Sequence, residues 1–194
     1  MTAQNGDAGN PANLVSPNTL CHIVLHTASE NYQKMVDFYL TFLGAHVTFQ
    51  NARMTFLTYD YEHHRIAIVG LPGLKPRVEG SVGMSHIAFG FETLDGLATS
   101  YEQKKAKGIM PMWTVNHGPS TSMYYSDPDG NVVEMQVDNF DTAEEATDFM
   151  MSKSFDENPI GVDFDPEDFV KRVRSGEDDK LIKARPDIGP RTEK

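Results

Sequence analysis

The stretch LCHIVLHT at residues 20–27 decides the fold, because a similar stretch, MSHIAFGF, returns at residues 84–91. Each is a short apolar run bounded by polar residues, which is typical of a β-strand. Each also carries a histidine at its third position, His22 in the first stretch and His86 in the second. Two similar strands with a histidine at the same position indicate an internal duplication.

The segments that follow these two strands have the pattern of amphipathic helices. Apolar residues recur at a spacing of three and four between Tyr32 and Leu43, and again between Leu94 and Tyr101, so that each set falls on one helical face. The residue types at the ends agree with this prediction. The expected N-caps are Ser29 and Thr93, and the expected C-terminal stops are Gly44 and Gly108.

Three short extended runs follow each helix, separated by turn-forming residues. They lie at residues 45–49, 54–58 and 65–69 in the first copy, and at 109–115, 122–126 and 132–137 in the second. Each copy therefore reads βαβββ. The predicted fold class is α+β, with two βαβββ modules at about residues 19–72 and 83–138 that together form one domain over residues 19–138.

The two ends of the chain differ in composition from this core. Residues 1–18 are expected to be a flexible N-terminal segment, and residues 139–194 an acidic C-terminal extension with short helices at Thr142–Met151 and Pro166–Val173. The last twenty residues are rich in proline and charge, and we expect them to be extended or loosely ordered. We expect the acidic helices to pack against a neighbouring chain, within a homodimer or larger homo-oligomer.

Composition limits the classes of partner. The chain has 28 Asp and Glu against 17 Lys and Arg, a formal net charge of -11 at pH 7, and a negative surface repels nucleic acid and anionic lipid. The longest apolar runs fall short of the roughly 20 residues that span a bilayer. The single cysteine, Cys21, cannot form a disulfide within the chain. Because residues 1–18 also lack the features of a secretory signal, we expect a cytoplasmic protein.

One carboxylate in the last predicted strand requires a partner. Glu134 lies between Val133 and Met135, and a buried carboxylate is costly unless it is paired or binds a metal. A single histidine on a strand is usually an ordinary core or surface residue, but His22 and His86 occupy equivalent positions of a duplication. Two imidazoles and one carboxylate form the ligand set of non-haem Fe(II) oxygenases. We therefore predict a metal site formed by His22, His86 and Glu134.

Three further stretches carry a resemblance to a known family. They are the pair His63-His64 before the strand RIAIV, the tripeptide Asn116-His117-Gly118 followed by Tyr124, and the turn and strand PDGNVVE that ends at Glu134. In this order, and together with the duplication over residues 20–137, they resemble the vicinal oxygen chelate superfamily. Within it they are most similar to the type I extradiol dioxygenases that act on catechol-type diols such as biphenyl-2,3-diol.

The resemblance implies a site and a chemistry. It implies a glyoxalase/extradiol dioxygenase-like domain with an open, β-barrel-like metal pocket. The pocket would hold Fe(II), with Mn(II) as the alternative metal, on His22, His86 and Glu134. By the same resemblance His64 would be the acid-base residue, and His117 and Tyr124 would contact the substrate. The implied reaction is ring cleavage of a vicinal aromatic diol by O2.

Two other functions stay open, because the fold alone does not determine function. One is a metal-dependent lyase or isomerase of the glyoxalase kind, and the other is a non-catalytic protein that binds small molecules in the same pocket. Glyoxalase-type sites take a fourth ligand from the last strand of the first module. The segment Arg65–Val69 contains neither carboxylate nor amide, and this favours the dioxygenase.

Overall fold

The computed structural model describes residues 14–78 and 80–191, and these form nine strands and six helices. The first module contains β1 (Ile23–Ala28), α1 (Tyr32–Leu43), β2 (His46–Gln50), β3 (Met54–Thr58) and β4 (Ile66–Leu71). The second contains β5 (His86–Phe91), α2 (Leu94–Lys105), β6 (Trp113–Asn116), β7 (Ser120–Ser126) and β8 (Val132–Asp138). The predicted βαβββ duplication is therefore confirmed.

Each module forms its own open sheet, as the predicted fold class requires. The first sheet has the strand order β1-β4-β3-β2, and the second has the order β5-β8-β7-β6 with one further strand beside β6. In both, the first and last strands of the module pair in parallel, Ile23 with Ile66 and His86 with Val132. Strand β1, which His22 directly precedes, and strand β5, which begins at His86, therefore occupy equivalent places in the two sheets.

The two amphipathic helices supply much of the core. Helix α1 buries Met35, Val36, Tyr39 and Phe42, and Phe42 packs edge-on against the ring of Tyr125 from the second module, at 5.1 Å between centroids. Helix α2 buries a comparable face. Burial of such apolar faces is the main favourable contribution to folding, and here it joins both modules in one core. The buried residues of α2 are Leu94, Leu97, Ala98, Ser100, Tyr101 and Lys104.

The ends of the two helices were predicted with unequal success. Thr93 caps α2, because its hydroxyl accepts a hydrogen bond from the backbone N–H of Gly96 at 3.0 Å, and Gly44 ends α1 with a left-handed φ of 60°. The prediction of Ser29 as the N-cap of α1 is wrong. Asn31 occupies that position, and its side chain bonds Asp129 of the second module instead of capping the helix.

The C-terminal extension lies against its own chain. It contains α3 (Ala143–Met150), α4 (Lys153–Glu157), β9 (Val162–Asp163), α5 (Pro166–Arg174) and α6 (Asp179–Lys183). The caps Thr142 and Asp165 start α3 and α5 where the sequence predicts helices. Strand β9 pairs with β6 as the fifth strand of the second sheet, and α5 contacts α2.

Two expectations about this extension have different outcomes. Phe169 of α5 and Ile182 of α6 join the hydrophobic core of the same chain, whereas α3 and α4 have no buried residues, so packing of these helices against a neighbouring chain stays a prediction. The last twenty residues are more structured than expected, because they include α6 and the hydrogen-bonded side chains of Arg185 and Arg191. Residues 192–194 lie outside the described part.

At the N-terminal end, residues 14–20 contain no helix or strand and are exposed, and residues 1–13 of the expected segment 1–18 lie outside the described part. No helix in the described ranges has both the length and the apolar character to cross a membrane.

Candidate metal and substrate site

The predicted site residues fall into two groups, one on each sheet. The first group is His22, which precedes β1, with His63 and His64, which precede β4. The second group is His86, Glu134, Tyr124 and His117, which belong to β5, β8, β7 and the end of β6. Because β1 pairs with β4 and β5 with β8, each group follows from the pairing within its own module.

The contact between His86 and Glu134 satisfies the buried carboxylate. Glu134 is only 4% exposed, and its Oε2 lies 3.0 Å from Nε2 of His86. Ala88 is the register partner of Glu134 in the neighbouring strand, so His86, two residues earlier, projects on the same face of the sheet. The buried carboxylate of Glu134 requires a partner, and that partner is His86, one of the two predicted histidine ligands.

Tyr124 extends this face to the next strand. It is the register partner of Glu134 in β7, and its ring meets that of His86 edge-on, with centroids 5.3 Å apart. Burial is the main reason why the pKa of Tyr124 lies well above its usual value, and the nearby charge of Glu134 raises it further. The phenol thus stays protonated at neutral pH and can donate a hydrogen bond.

His117 and Trp113 complete the second group. Nε2 of His117 lies 2.9 Å from the hydroxyl of Tyr124, and the indole of Trp113 stacks on the Tyr124 ring at 4.8 Å between centroids. Burial lowers the pKa of His117, so its imidazole is neutral at pH 7. No sequence motif assigned a role to Trp113. Its register pairing with Tyr124 across β6 and β7 is the signal that sequence reasoning did not use.

The first group is a cluster of imidazoles. The His64 ring lies 4.3 Å from that of His22 and 4.5 Å from that of Phe56, on which it stacks. Its Nδ1 lies 2.6 Å from Nδ1 of His63, so one of these two nitrogens carries the proton. Burial, followed by the proximity of His22 and His63, lowers the pKa of His64. His64 is therefore a neutral, buried imidazole at pH 7.

The three predicted ligands are not gathered in one cluster. Across the residues that the structure describes, no group of three or more His, Cys, Asp or Glu side chains is placed to hold a metal ion. His86 and Glu134 are in contact, whereas His22 belongs to the other sheet and lines a cavity of about 200 Å³ with residues of β5, among them Ala88. The structure thus joins two of the three, and the third directly precedes a strand of the other sheet.

The whole domain matches a family model. The model, described as the Glyoxalase/Bleomycin resistance protein/Dioxygenase superfamily, covers residues 20–135, which include nearly all of both modules and end within β8. The chain belongs to this superfamily. Its C-terminal extension lies beyond the matched residues.

Curated relatives point to one branch of the superfamily. The chain is 48% identical over 146 residues to biphenyl-2,3-diol 1,2-dioxygenase 2 of Rhodococcus globerulus, a match that covers 75% of this chain and 76% of the relative. It is 45% identical over 159 residues to biphenyl-2,3-diol 1,2-dioxygenase 3 of the same organism, with 81% and 83% covered. The resemblance to type I extradiol dioxygenases is therefore confirmed.

Solved structures agree on the fold. A glyoxalase/bleomycin resistance protein/dioxygenase from Nocardioides superposes with a TM-score of 0.51 at 19% identity, over 65% of this chain and 87% of that one. At such low identity the likeness concerns the fold alone.

Proposed function

We propose that this chain is an extradiol ring-cleaving dioxygenase that inserts O2 into a catechol-type vicinal diol, on a non-haem Fe(II) held by His22, His86 and Glu134. The observation that carries the proposal is the contact of the buried Glu134 carboxylate with His86, on the face that also holds Tyr124 and His117. The two Rhodococcus relatives, both biphenyl-2,3-diol dioxygenases, support the substrate class.

The donor set suits the metal. Glu134 and His86 offer a carboxylate oxygen and an imidazole nitrogen close enough to share one cation, and a second imidazole from His22 would complete the two-histidine, one-carboxylate set of Fe(II) oxygenases. Mn(II) is the alternative metal for these ligands. When bound, the metal would hold the diol and O2 side by side and lower the pKa of the bound hydroxyl.

His64 would move protons. As a neutral imidazole with a lowered pKa, it can accept a proton from a substrate hydroxyl at neutral pH, and it can return that proton later in the reaction. Its ring stacks on that of Phe56 and also contacts the tilted ring of His22. Packing of this kind holds an acid-base group in one orientation, which a proton transfer requires.

His117 and Tyr124 would orient the aromatic ring. The Tyr124 phenol is kept protonated by burial and by Glu134, and it donates its one proton to Nε2 of His117 or, in place of that contact, to a substrate oxygen. The stacked indole of Trp113 and the hydrogen bond that the phenol donates to Nε2 of His117 fix its position. Because these groups are preorganised before the substrate binds, they cost little reorganisation during the reaction.

The reaction balances without a further reductant. Both oxygen atoms of O2 enter the product, one carbon–carbon bond of the ring breaks, and the diol supplies the electrons that reduce O2. The product would be a ring-opened semialdehyde or keto acid.

The deciding experiment measures O2 uptake by protein that was loaded anaerobically with iron, against a small panel of catechols that includes biphenyl-2,3-diol. We expect one O2 consumed per diol and a coloured ring-opened product. Turnover of a hemithioacetal without O2 uptake would instead identify the glyoxalase-type lyase. Tight catechol binding by protein without stoichiometric metal would identify the binding protein.

We further propose that the chain forms a homodimer or larger homo-oligomer. Its small-molecule partners would be an aromatic diol and O2, and its location would be cytoplasmic. Symmetric dimers are the commonest assemblies of soluble enzymes. The location rests on the use of cysteine, since Cys21 is the single cysteine and is exposed and unbridged.

A further inference from the structure

The C-terminal extension contacts the substrate face through His117. Nδ1 of His117 lies 2.5 Å from the backbone carbonyl oxygen of Ile160, in the segment that enters β9. A carbonyl oxygen can only accept a hydrogen bond, so Nδ1 must be the donor and must carry the proton. The extension therefore determines which ring nitrogen of His117 is protonated.

The other nitrogen then has a fixed role. Because burial lowers the pKa of His117, the ring is neutral at pH 7 and carries one proton, which Ile160 holds on Nδ1. Nε2 is left with a lone pair, and it lies 2.9 Å from the hydroxyl of Tyr124. Nε2 accordingly accepts a hydrogen bond and cannot donate one.

A tight turn presents the Ile160 carbonyl. The side chain of Asn158, which is 3% exposed, accepts a hydrogen bond from the N–H of Gly161 at 2.7 Å and donates one to the Gly161 carbonyl at 3.2 Å. Gly161 has a φ of +107°, and a Cβ at this position would lie 2.2 Å from the carbonyl oxygen of Asn116. The turn is therefore closed by Asn158 and pressed against the strand that leads to His117.

Arg185 fastens the turn to the loop of His117. Its guanidinium donates to the carbonyl oxygens of His117 at 3.2 Å, of Asn158 at 2.6 Å and of Ser154 at 3.0 Å. Three segments of the chain thus converge on one side chain. Because a guanidinium presents five donors in a rigid plane, it suits such a junction better than an ammonium group does.

We propose that the C-terminal extension positions a residue of the substrate site. The turn of residues 158–161, with Arg185, holds His117 as its Nδ1–H tautomer, so that Nε2 faces Tyr124 and the substrate as a hydrogen-bond acceptor. The kinetic part of this inference rests on the proposed dioxygenase function, whereas the tautomer does not. The residues Asn158, Gly161 and Arg185 are positioning residues, since they act through His117.

The tautomer can be observed directly. Long-range 1H–15N correlation spectra of the full chain, labelled with 15N-histidine and recorded before iron loading, distinguish the two neutral tautomers, and the His117→Gln variant assigns the signal. We expect the Nδ1–H form in the wild-type protein and a shift toward the Nε2–H form, which predominates in free histidine, in Asn158→Ala. An Nε2–H form in the wild-type protein would overturn the proposal.

Kinetics test what the tautomer does. Asn158→Ala and Arg185→Met should lower kcat roughly 10- to 100-fold, the scale of a small misplacement of a substrate-orienting group, with a much smaller rise in KM and an unchanged iron content. Asn158→Asp keeps the acceptor for the N–H of Gly161 and should recover most of the activity. Equal losses in Asn158→Asp and Asn158→Ala would contradict the positioning role.

Arg174→Met is the matched control. Arg174 is another arginine of the extension that binds the core, through Asp95 and Glu102 of α2, but it lies in α5, away from the turn that contacts His117. We expect this variant to lose some thermal stability and to keep its kcat. If Arg174→Met and Arg185→Met lowered kcat equally, the extension would act only through stability, and the proposal would be wrong.

The two proposals fail separately. Absence of O2 uptake by the wild-type protein with every catechol would refute the dioxygenase function, while the spectra would still report the proton position of His117. Normal O2 uptake together with an Nε2–H tautomer would refute only the role of the extension.

Discussion

Nε2 of His86 lies 3.0 Å from Oε2 of Glu134, and the two residues come from parallel neighbouring strands of one sheet. This contact satisfies a carboxylate that is almost fully buried, and it presents two of the donors that an iron site needs. The third proposed donor, His22, comes from the other module. Because the three proposed donors come from two modules, the first experiment tests each donor by a separate substitution.

We expect one iron per chain, and severe loss of iron in each of the variants His22→Ala, His86→Ala and Glu134→Ala, because a site with three protein ligands has little redundancy. Elemental analysis of protein loaded anaerobically measures this. His46→Ala is the control, since His46 is exposed on the edge strand β2. Normal iron content in any one of the three variants would remove that residue from the site.

A substitution of His64 tests the chemical step separately from the binding of iron and catechol. In His64→Gln the three proposed ligands are intact, so the protein should keep its iron and still bind catechol. Turnover should fall by about a hundredfold to ten-thousandfold, the range for loss of a positioned general acid-base group, and kcat should fall much more than KM rises. Steady-state O2 uptake gives both constants. An iron-replete variant with full activity would contradict the assigned role.

Tyr124 and Tyr125 form a natural comparison, because adjacent residues of a strand face opposite ways. Tyr124→Phe removes the hydroxyl that contacts His117 and should lower kcat/KM about 10- to 100-fold, as expected for loss of a hydrogen bond to a group that becomes charged. Tyr125→Phe alters a core ring that packs on Phe42 and should leave kcat/KM unchanged. Similar losses in both would show that the Tyr124 hydroxyl has no special role.

Lys104 should make stability depend on pH. It is 6% exposed, its ammonium lies 4.6 Å from the Phe42 ring centroid, and burial lowers its pKa from 10.5 to about 8. Below pH 8 the group is protonated in both the folded and the unfolded chain, so the full cost of burying the charge is present. Between about pH 8 and 10.5 the folded chain releases the proton first, and stability rises with pH.

Lys104→Met should therefore raise the free energy of unfolding at pH 7 by about 1–3 kcal/mol, the energy of such a pKa shift less the lost contact with the ring. The advantage over wild type should shrink as the pH rises from 8 to 9.5. Urea unfolding at several pH values measures it, with the exposed Lys107→Met as control. A difference between variant and wild type that stays constant with pH would contradict the lowered pKa.

The oligomeric state is a separate prediction. Light scattering at micromolar concentration should give a mass of at least twice the 21.6 kDa of one chain. The edge strand β2 exposes Val47 and Phe49, and an exposed apolar edge is a common pairing surface. Val47→Lys should then shift the protein toward the monomer, and a monomeric wild-type protein would refute the prediction.

Much of the fold could be predicted from the sequence because the duplication repeats the same local signals. The histidine strands, the helical faces and the turn before Glu134 are all encoded within a few residues, and they lie where the patterns indicate. Strand alternation places Tyr124 and Tyr125 on opposite faces, and the resemblance to the family selects Tyr124 as the residue predicted to contact the substrate. These features need no knowledge of distant contacts.

The parts that the sequence did not predict depend on long-range contacts. The last twenty residues have the composition of a loose tail, yet Arg185 and Arg191 are held by carbonyls and a carboxylate from distant segments. No local pattern shows that Ile160 would meet His117. The distance between His22 and the pair His86 and Glu134 also depends on how the two sheets pack, which residue spacing does not specify.

The core residues Phe169 and Ile182 have a consequence for how the chain is divided. The family match ends at residue 135, but Phe169 lies over α2, where the hydroxyl of Tyr101 donates to Glu167. The end of the family match is therefore not the end of the hydrophobic core. A superfamily domain cut after β8 would expose apolar surface on α2 and an unpaired edge at β6, two features that favour aggregation. In this chain the superfamily domain and the extension share one hydrophobic core.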